Sequence, residues 1–318
     1  MKVPKALVTA LRNEHVVLLA THINPDGDAL GSCLALAEAL EFLGKKVFVY
    51  DRDKVPEQYR FLPGHRRFRT DTGPVAGKDP LLVLLDCNSP ERAGLEQNSY
   101  LKSAVIDHHV TESDFGRLRW IDRKAAATGL MVYALIRSMK VPVTKSMATN
   151  LYVALAVDTG TFRYSNTGPE VLKAGAELVE AGARPGLIAE HLYERWTMKR
   201  FDLLNKSLLT LDIRDGIALL HVTKDMMEKT GTSEADTENF ANVPRMIDSV
   251  MISALIRESD NGRWKVSMRS KGSANVEKIA QACGGGGHRN AAGFRMKSDL
   301  ETVRKIIFRE GRKILRDK

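Results

Sequence analysis

Two carboxylates and an imidazole crowd into THINPDGDALGS, residues 21–32, directly after the apolar run HVVLLA. His22, Asp26 and Asp28 are all competent ligands for divalent cations, and Gly27 lets the backbone turn tightly enough for both aspartates to face one point. Three later segments carry groups of the same kind: Asp86 in LLDCNSPERAG, the trio Asp107, His108 and His109 in VIDHH, and Asp158 in ALAVDTGTF. A carboxylate and imidazole set with few sulfurs suits Mn²⁺ or Mg²⁺ better than structural zinc. More ligands stand here than one ion takes from protein at a catalytic site, which predicts two ions sharing a bridging carboxylate. Such a pair, roughly 3.5 to 4 Å apart, activates a bridging hydroxide and stabilises the attacking and leaving oxygens of an in-line displacement at phosphorus.

Each segment alone also has a plain structural reading. Asp-Gly-Asp makes surface turns, Asp86 or Asp158 could cap a helix, and adjacent histidines often sit on solvated loops. Co-location decides between the readings, and it depends on the elements that carry the residues. HVVLLA (15–20), KVFVY (46–50), LLVLLD (81–86) and SAVIDHH (103–109) are short, mostly apolar runs, as expected of strands buried on both faces. ALGSCLALAEALEFLG, AATGLMVYALIRSM and SMATNLYVALAVDTG carry apolar residues at helical spacing. Strands alternating with helices predict an α/β fold with a parallel, helix-flanked sheet, whose ligands sit beyond the carboxyl ends of the strands. His22, Asp86 and the Asp107–His109 trio fall at those ends, and Asp158 closes a helix-like segment.

A second organisation begins after about residue 190. EHLYERWTMKRFDLLNKSLLTLDI is a charged amphipathic stretch suited to a linking helix. Strand-like IALLHV, helix-like KDMMEKTG and strand-like SVMISALIRE and WKVSMRS follow, then NVEKIAQACGGGGHRNAAGFRM, a short helix with Asn275 as N-cap running into four glycines. The expected division is a metal-binding domain over 1–190, a linker helix over 191–209 and a smaller α+β domain over 210–318. Gly285, Gly286 and Gly287 could offer backbone N–H groups to phosphate oxygens, while His288, Arg289 and Arg269 add donors and charge. A glycine run also makes flexible turns, and a strand arginine can simply point outward.

Of 318 residues, 43% are hydrophobic and 27% charged, which excludes a disordered or membrane-spanning chain. No apolar stretch approaches the roughly 18 residues needed to cross a bilayer, and no signal-peptide pattern opens the chain, so a cytoplasmic location with no membrane partner is expected. Cys33, Cys87 and Cys283 form no C-x-x-C pair, so neither disulfides nor a zinc ribbon is indicated. The net charge of +9 favours an anionic partner, but it is spread without a long basic block, which suits a phosphate-bearing substrate better than a long duplex.

On these motifs the chain resembles the DHH phosphoesterase family. HINPDGDALGS, LLDCNSPERAG, VIDHH and ALAVDTGTF match its four motifs in order, and GGGGHRNAAGF resembles the signature of the associated DHHA1 domain. Within the family, the compact length and the His-x-x-Pro-Asp form of the first motif resemble the nanoRNase/pAp phosphatases. The resemblance implies an α/β DHH domain and a DHHA1 domain with the active site in the cleft between them. It implies hydrolysis of very short single-stranded RNA to mononucleotides, or of a mononucleotide bisphosphate, pAp, to AMP, with two divalent cations, Mn²⁺ first and Mg²⁺ or Co²⁺ as substitutes. By position, His22, Asp26 and Asp86 would hold one metal, and Asp28, Asp86, His108 and Asp158 the other. His109 would contact the scissile phosphate, Asp107 would orient the imidazoles, and Arg269, Gly285, Gly286, Gly287 and His288 would grip the substrate. The expected assembly is a homodimer. DTENFANVPRMIDSV departs from that group's pattern, with Asn239 and Met246 where a glycine and a serine are usual. A linear or cyclic dinucleotide phosphodiesterase of the same family is the alternative activity, and a catalytically silent nucleotide sensor the non-enzyme alternative.

Overall fold

The computed structural model of the chain describes residues 1–75, 77–96, 100–109 and 113–316. The chain divides into two compact units, Met1–Arg195 and Trp196–Lys318. In the first, α1 (Lys5–Asn13) precedes β1 (Val16–Ala20), α2 (Gly27–Phe42), β2 (Lys46–Tyr50), β3 (Phe68–Arg69), β4 (Leu81–Leu85), β5 (Ser103–Asp107) and β6 (Leu118–Ile121). Four helices follow: α3 (Thr128–Ser138), α4 (Lys145–Asp158), α5 (Pro169–Glu180) and α6 (Pro185–Tyr193). The strands form one sheet in the order β3-β2-β1-β4-β5-β6, and every neighbouring pair is parallel.

Because side chains alternate along a strand, the apolar runs feed two layers. Val17, Leu19, Val83, Leu85 and Ile106 pack with residues of α1 to α5, whereas Leu18, Leu82, Leu84 and Val105 pack with Tyr50 of β2 and with Val75, Cys87 and Ala93 from connecting segments. One face therefore carries the helices and the other is closed by loops. The two-residue β3 and four-residue β6 lie at the sheet edges, where runs this short and half-exposed give no sequence pattern.

The helices α2 and α4 are buried nearly all round and touch closely at Gly31, where a Cβ would lie 2.3 Å from the carbonyl oxygen of Asn150. A Gly31→Ala change gains about 1 kcal/mol of helix propensity. The overlap is with backbone and costs more, in the upper part of the ~1–3 kcal/mol range for overpacking. Denaturant unfolding is expected to register a net loss of about 1–2 kcal/mol.

The second unit contains α7 (Met198–Leu208), β7 (Asp212–Arg214), β8 (Ile217–Val222), α8 (Lys224–Thr230), β9 (Ile252–Ser259), β10 (Arg263–Ser270), α9 (Val276–Ala282), β11 (Gly286–His288), β12 (Ala291–Lys297) and α10 (Leu300–Arg316). Its sheet runs β11-β12-β10-β9-β8-β7, with only β8 and β9 parallel. One face packs on α9 and α10 through Ile256, Val266, Ile279 and Ile307, and part of the other packs on α7 and α8 through Leu203, Leu220 and Met227. The stretch 191–209, expected as one linking helix, instead holds the end of α6, which stops at Tyr193, and the whole of α7, which starts afresh behind Thr197, whose hydroxyl accepts from the Arg200 N–H. Its Leu203 and Leu204 belong to the second unit's core. Among the described residues, no helix is long and apolar enough to cross a membrane.

Candidate metal centre

Three strands of the first sheet end at the same edge, and each delivers a candidate ligand. Beyond β1, His22 directs its Nδ1 to the carbonyl of Ile23 at 3.1 Å. Beyond β5, His108 directs its Nδ1 to the carbonyl of Ala125 at 3.1 Å. A carbonyl only accepts, so each Nδ1 carries the proton and each Nε2 faces inward, the tautomer that metal ligation requires once Nε2 is unprotonated. Between them, just past β4, stands Asp86, whose backbone has a left-handed φ of 56°. An aspartate tolerates that region at a modest cost, and strain of this kind collects at functional positions.

Two carboxylates come from the start of α2. Asp26 is its N-cap, its Oδ1 accepting from the N–H groups of Asp28 and Ala29 at 3.0 and 3.1 Å. Asp28, fully buried, accepts from the N–H groups of Thr128 (2.6 Å) and Gly129 (2.7 Å) and from the Ser32 hydroxyl (3.1 Å). These two amides open α3, whose N-cap Ala127 has no side chain able to satisfy them, so the carboxylate of Asp28 takes the place of a cap. Asp158 is the last residue of α4. The chain then leaves through Gly160, Thr161 and Phe162, all left-handed.

Ligand atoms of His22, Asp26 and Asp86 lie within 4.8 Å of one another, as do those of Asp28, His108 and Asp158. Asp86 stands between the two groups: its Oδ2 is 3.4 Å from His22 Nε2, and its Oδ1 is 3.4 Å from His108 Nε2. His108 Nε2 is also 3.1 Å from Asp158 Oδ2 and 3.7 Å from Asp28 Oδ2. The hydroxyl of Thr128 donates to Asp86 Oδ1 at 2.9 Å. His109 Nδ1 meets Asp107 Oδ1 at 2.7 Å, and that oxygen also accepts the His109 backbone N–H.

So many buried acids and imidazoles strain one another's protonation. Burial, then the charge of Asp86, pushes Asp26 up to about 6, and burial with Asp86 and Asp158 raises Asp28 well above the usual carboxylate range. Burial pulls the His22 imidazole down, but Asp86 and Asp26 outweigh it and carry it up to about 9. His108 is likewise raised well above an ordinary histidine by Asp158 and Asp86 against burial. Burial would raise Asp86, yet the surrounding imidazoles, His109 foremost, hold it well below the normal value. In this state protons play the part of cations. A divalent ion in each triad would neutralise the same carboxylates without protonating them, so the donor set, its charge and its tautomers all fit metal.

The sequence-selected residues His22, Asp26, Asp28, Asp86, Asp107, His108, His109 and Asp158 thus converge on one edge of one sheet. Ser32, Thr128 and Gly129 escaped the sequence reading, although AAATGLM, a helical run without a capping residue, carried a signal. Asp51 at the end of β2 escaped it too; it is fully buried, and burial pushes it up to about 7. Arg92 takes part through its backbone, its carbonyl accepting from the Ile23 N–H at 2.8 Å.

The glycine run in the second unit is not the open loop its composition suggests: Gly286–His288 form the edge strand β11 against β12. A Cβ at Gly285 would lie 2.1 Å from the carbonyl oxygen of Gly293, and one at Gly287 (φ 142°) 2.5 Å from that of Ala291, so these two are glycine for backbone packing. At Gly286 a Cβ would meet nothing within 4 Å. Arg269, on β10, donates to the carbonyl of Met268, and Arg289 to that of Ser273.

A parallel sheet that gathers carboxylates and imidazoles at its carboxyl edge, joined to a smaller mixed-sheet unit, defines a two-domain hydrolase of the phosphoesterase class. The chain belongs to the DHH family: the family's N-terminal domain matches residues 16–155, and the DHHA1 domain matches 216–310. It is 36% identical over 94% of its length to the bifunctional oligoribonuclease and PAP phosphatase NrnA of Thermus thermophilus, covering 92% of that protein. It is 26% identical to the Bacillus subtilis protein of the same name, over 93% of this chain and 97% of that one. Among solved structures, an exopolyphosphatase-related protein from Bacteroides fragilis superposes with a TM-score of 0.90 at 26% identity, over 98% of both chains.

Proposed function

We propose that the chain is a divalent-metal-dependent phosphoesterase that hydrolyses very short oligoribonucleotides to mononucleotides and pAp to AMP. The observation that carries this reading is Asp86, which presents one oxygen to each of two ligand groups. His22, Asp26 and Asp86 would hold one cation, and Asp28, Asp86, His108 and Asp158 the other, with Mn²⁺ the ion of choice for this hard, partly nitrogenous set. Bound there, the ions supply Lewis acidity toward phosphoryl oxygen and a water of lowered pKa.

The chain's own residues do the rest. Asp107 fixes the ring of His109 through Nδ1, leaving Nε2 to meet the scissile phosphate and steady its developing charge or protonate the leaving oxygen. Arg269, Gly285, Gly286, Gly287 and His288 bind the substrate. In support, the relatives covered nearly end to end are named for acting on oligoribonucleotides and PAP.

A second reading, a dinucleotide phosphodiesterase, has one observation in its favour: 26% identity over 95% of this chain to the cyclic-di-AMP phosphodiesterase GdpP of Bacillus subtilis, of which the chain spans only 48%. Turnover measured side by side on pAp, a linear dinucleotide, a cyclic dinucleotide and a longer strand, with Mn²⁺ titrated in, separates the readings. Release of AMP from pAp and of mononucleotides from the linear dimer is expected. Binding of these compounds without turnover would leave only a nucleotide sensor.

Two variants probe the roles. Asp107→Asn takes away the negative charge behind His109 and puts an NH2 donor in place of one carboxylate oxygen, and kcat is expected to fall about 10- to 100-fold, the usual cost of weakening an orienting partner behind a reacting group. His288→Ala should raise KM about tenfold with kcat nearly unchanged, the signature of lost ground-state binding.

A further inference from the structure

One face of the second sheet is left half-open at β10, β11 and β12, and its register sets out an unusual charge pattern. Along β10, Arg263, Lys265, Ser267 and Arg269 alternate with buried Trp264, Val266, Met268 and Ser270, so the four share the half-open face. The pairing aligns them in rows across the strands. Arg269 stands beside Ala291, which pairs with His288. Ser267 stands beside Gly293, which pairs with Gly286. Lys265 stands between Arg295 on β12 and Arg257 on β9. One end of the face thus has an arginine and a histidine, the middle has Ser267, Gly293 and Gly286 across β10 to β12 with Leu255 of β9 beside Ser267, and the other end has three cations side by side.

Like charges directly opposite one another destabilise a sheet. Among the described residues, only Arg257 of the three is neutralised. It is 6% exposed and is held by the side-chain carboxylate of Glu234 and, at 3.0 Å, by that residue's carbonyl, while its Nε is buried with no hydrogen-bond partner. No hydrogen bond or ion pair engages Lys265 or Arg295 among the described residues. Burial, then Arg257 and Arg295, lowers the Lys265 ammonium from its ordinary value, and Glu234 and Glu238 are the acids that oppose this. Folding has thus set three cations in one row, from buried Arg257 through part-buried Lys265 to exposed Arg295, the last two with no acidic partner among the described residues.

From the row Arg257, Lys265 and Arg295 we infer a second phosphate subsite, which takes a backbone phosphate of an oligonucleotide whose end is held at Arg269 and His288. This deepens the proposed activity and rests on it for the placing of the substrate's end. Four residues along β10 separate Lys265 from Arg269, about 13 Å at strand rise. The two phosphates on a single ribose cannot span that distance, but a strand of two or three nucleotides can, lying over Ser267, Gly286 and Gly293. The subsite therefore discriminates by length: it strengthens binding of oligonucleotides and leaves a mononucleotide bisphosphate untouched.

The test is metal-free binding in EDTA, by fluorescence anisotropy with a 5′-labelled RNA trinucleotide and by competition with unlabelled pAp, on the full chain. The double variant Lys265→Gln/Arg295→Gln is expected to weaken trinucleotide binding about tenfold or more, to flatten its salt dependence, and to change pAp affinity less than twofold. Lys265→Arg, which keeps the charge, should bind the trinucleotide like the parent, and the retained pAp affinity of the glutamine variant shows that it is folded. An unchanged trinucleotide affinity, an equal loss for pAp, or a parent protein that binds no trinucleotide overturns the subsite. Failure of the proposed activity would look different: the parent with Mn²⁺ would bind these compounds and hydrolyse none of them.

Discussion

Substituting alanine for Asp86 is expected to lower kcat on any phosphoester substrate by on the order of 10⁴-fold, the scale reached when a central member of a catalytic unit is lost. The size follows from position. Each other ligand touches one group of donors, whereas Asp86 offers Oδ2 to His22 on one side and Oδ1 to His108 on the other. Its removal therefore strips charge from both proposed ion sites at once. It also leaves two raised-pKa imidazoles with less compensation, so Asp86→Asn, which keeps shape and the hydrogen bond from Thr128, is the companion variant. Circular dichroism should show a retained fold, and a calorimetric Mn²⁺ titration should show loss of the two-ion stoichiometry. An Asp86 variant retaining a tenth of the parent's turnover would rule out the bridging role.

The sequence made this centre legible because the chemistry and the fold share one rule. Buried parallel strands are near-continuous apolar runs, so their ends are visible, and polar groups placed immediately after them must meet at the carboxyl edge. His22, Asp86 and His108 are all found this way. What supports them is less visible for a physical reason: Thr128, Gly129 and Ala125 act through backbone N–H and C=O groups or a single hydroxyl, and backbone donors leave no mark on residue type. The glycine run misleads in the opposite direction. Composition suggests a loop, whereas two of its glycines are small because β12 lies against them. The continuous linker helix fails similarly, since amphipathic periodicity survives across Thr197, whose capping bond starts a new helix. The cationic row on the second sheet is invisible in sequence because Arg257, Lys265 and Arg295 become neighbours only through strand register.

The other large effect concerns protons. In EDTA, the stability of the first unit is expected to fall as pH rises from 6 to 9. His22 has a folded value of about 9 against an ordinary 6.5. Its contribution is complete below 6.5 and is lost as pH climbs through 9. Each tenfold gain in proton affinity on folding is worth about 1.4 kcal/mol, so this group alone accounts for a loss on the order of 3 kcal/mol. Raised His108 acts in the same sense. The raised carboxylates do too, but Asp26, at about 6 against 3.8, has spent most of its effect by the bottom of the window. Asp86 and Asp107 are shifted downward, and their contributions are lost only in acid, so they stay constant here. For a unit of this size the loss corresponds to a decrease in Tm on the order of 10 °C. Saturating Mn²⁺ should reverse the slope: ligation requires the imidazoles and carboxylates to release their protons, so affinity and its stabilising effect grow with pH. Thermal unfolding at pH 6 and pH 9, with EDTA and with Mn²⁺, reads both slopes directly. A metal-free Tm that holds steady or rises across that interval would mean the buried imidazoles do not carry the protons that their carboxylate neighbours assign to them.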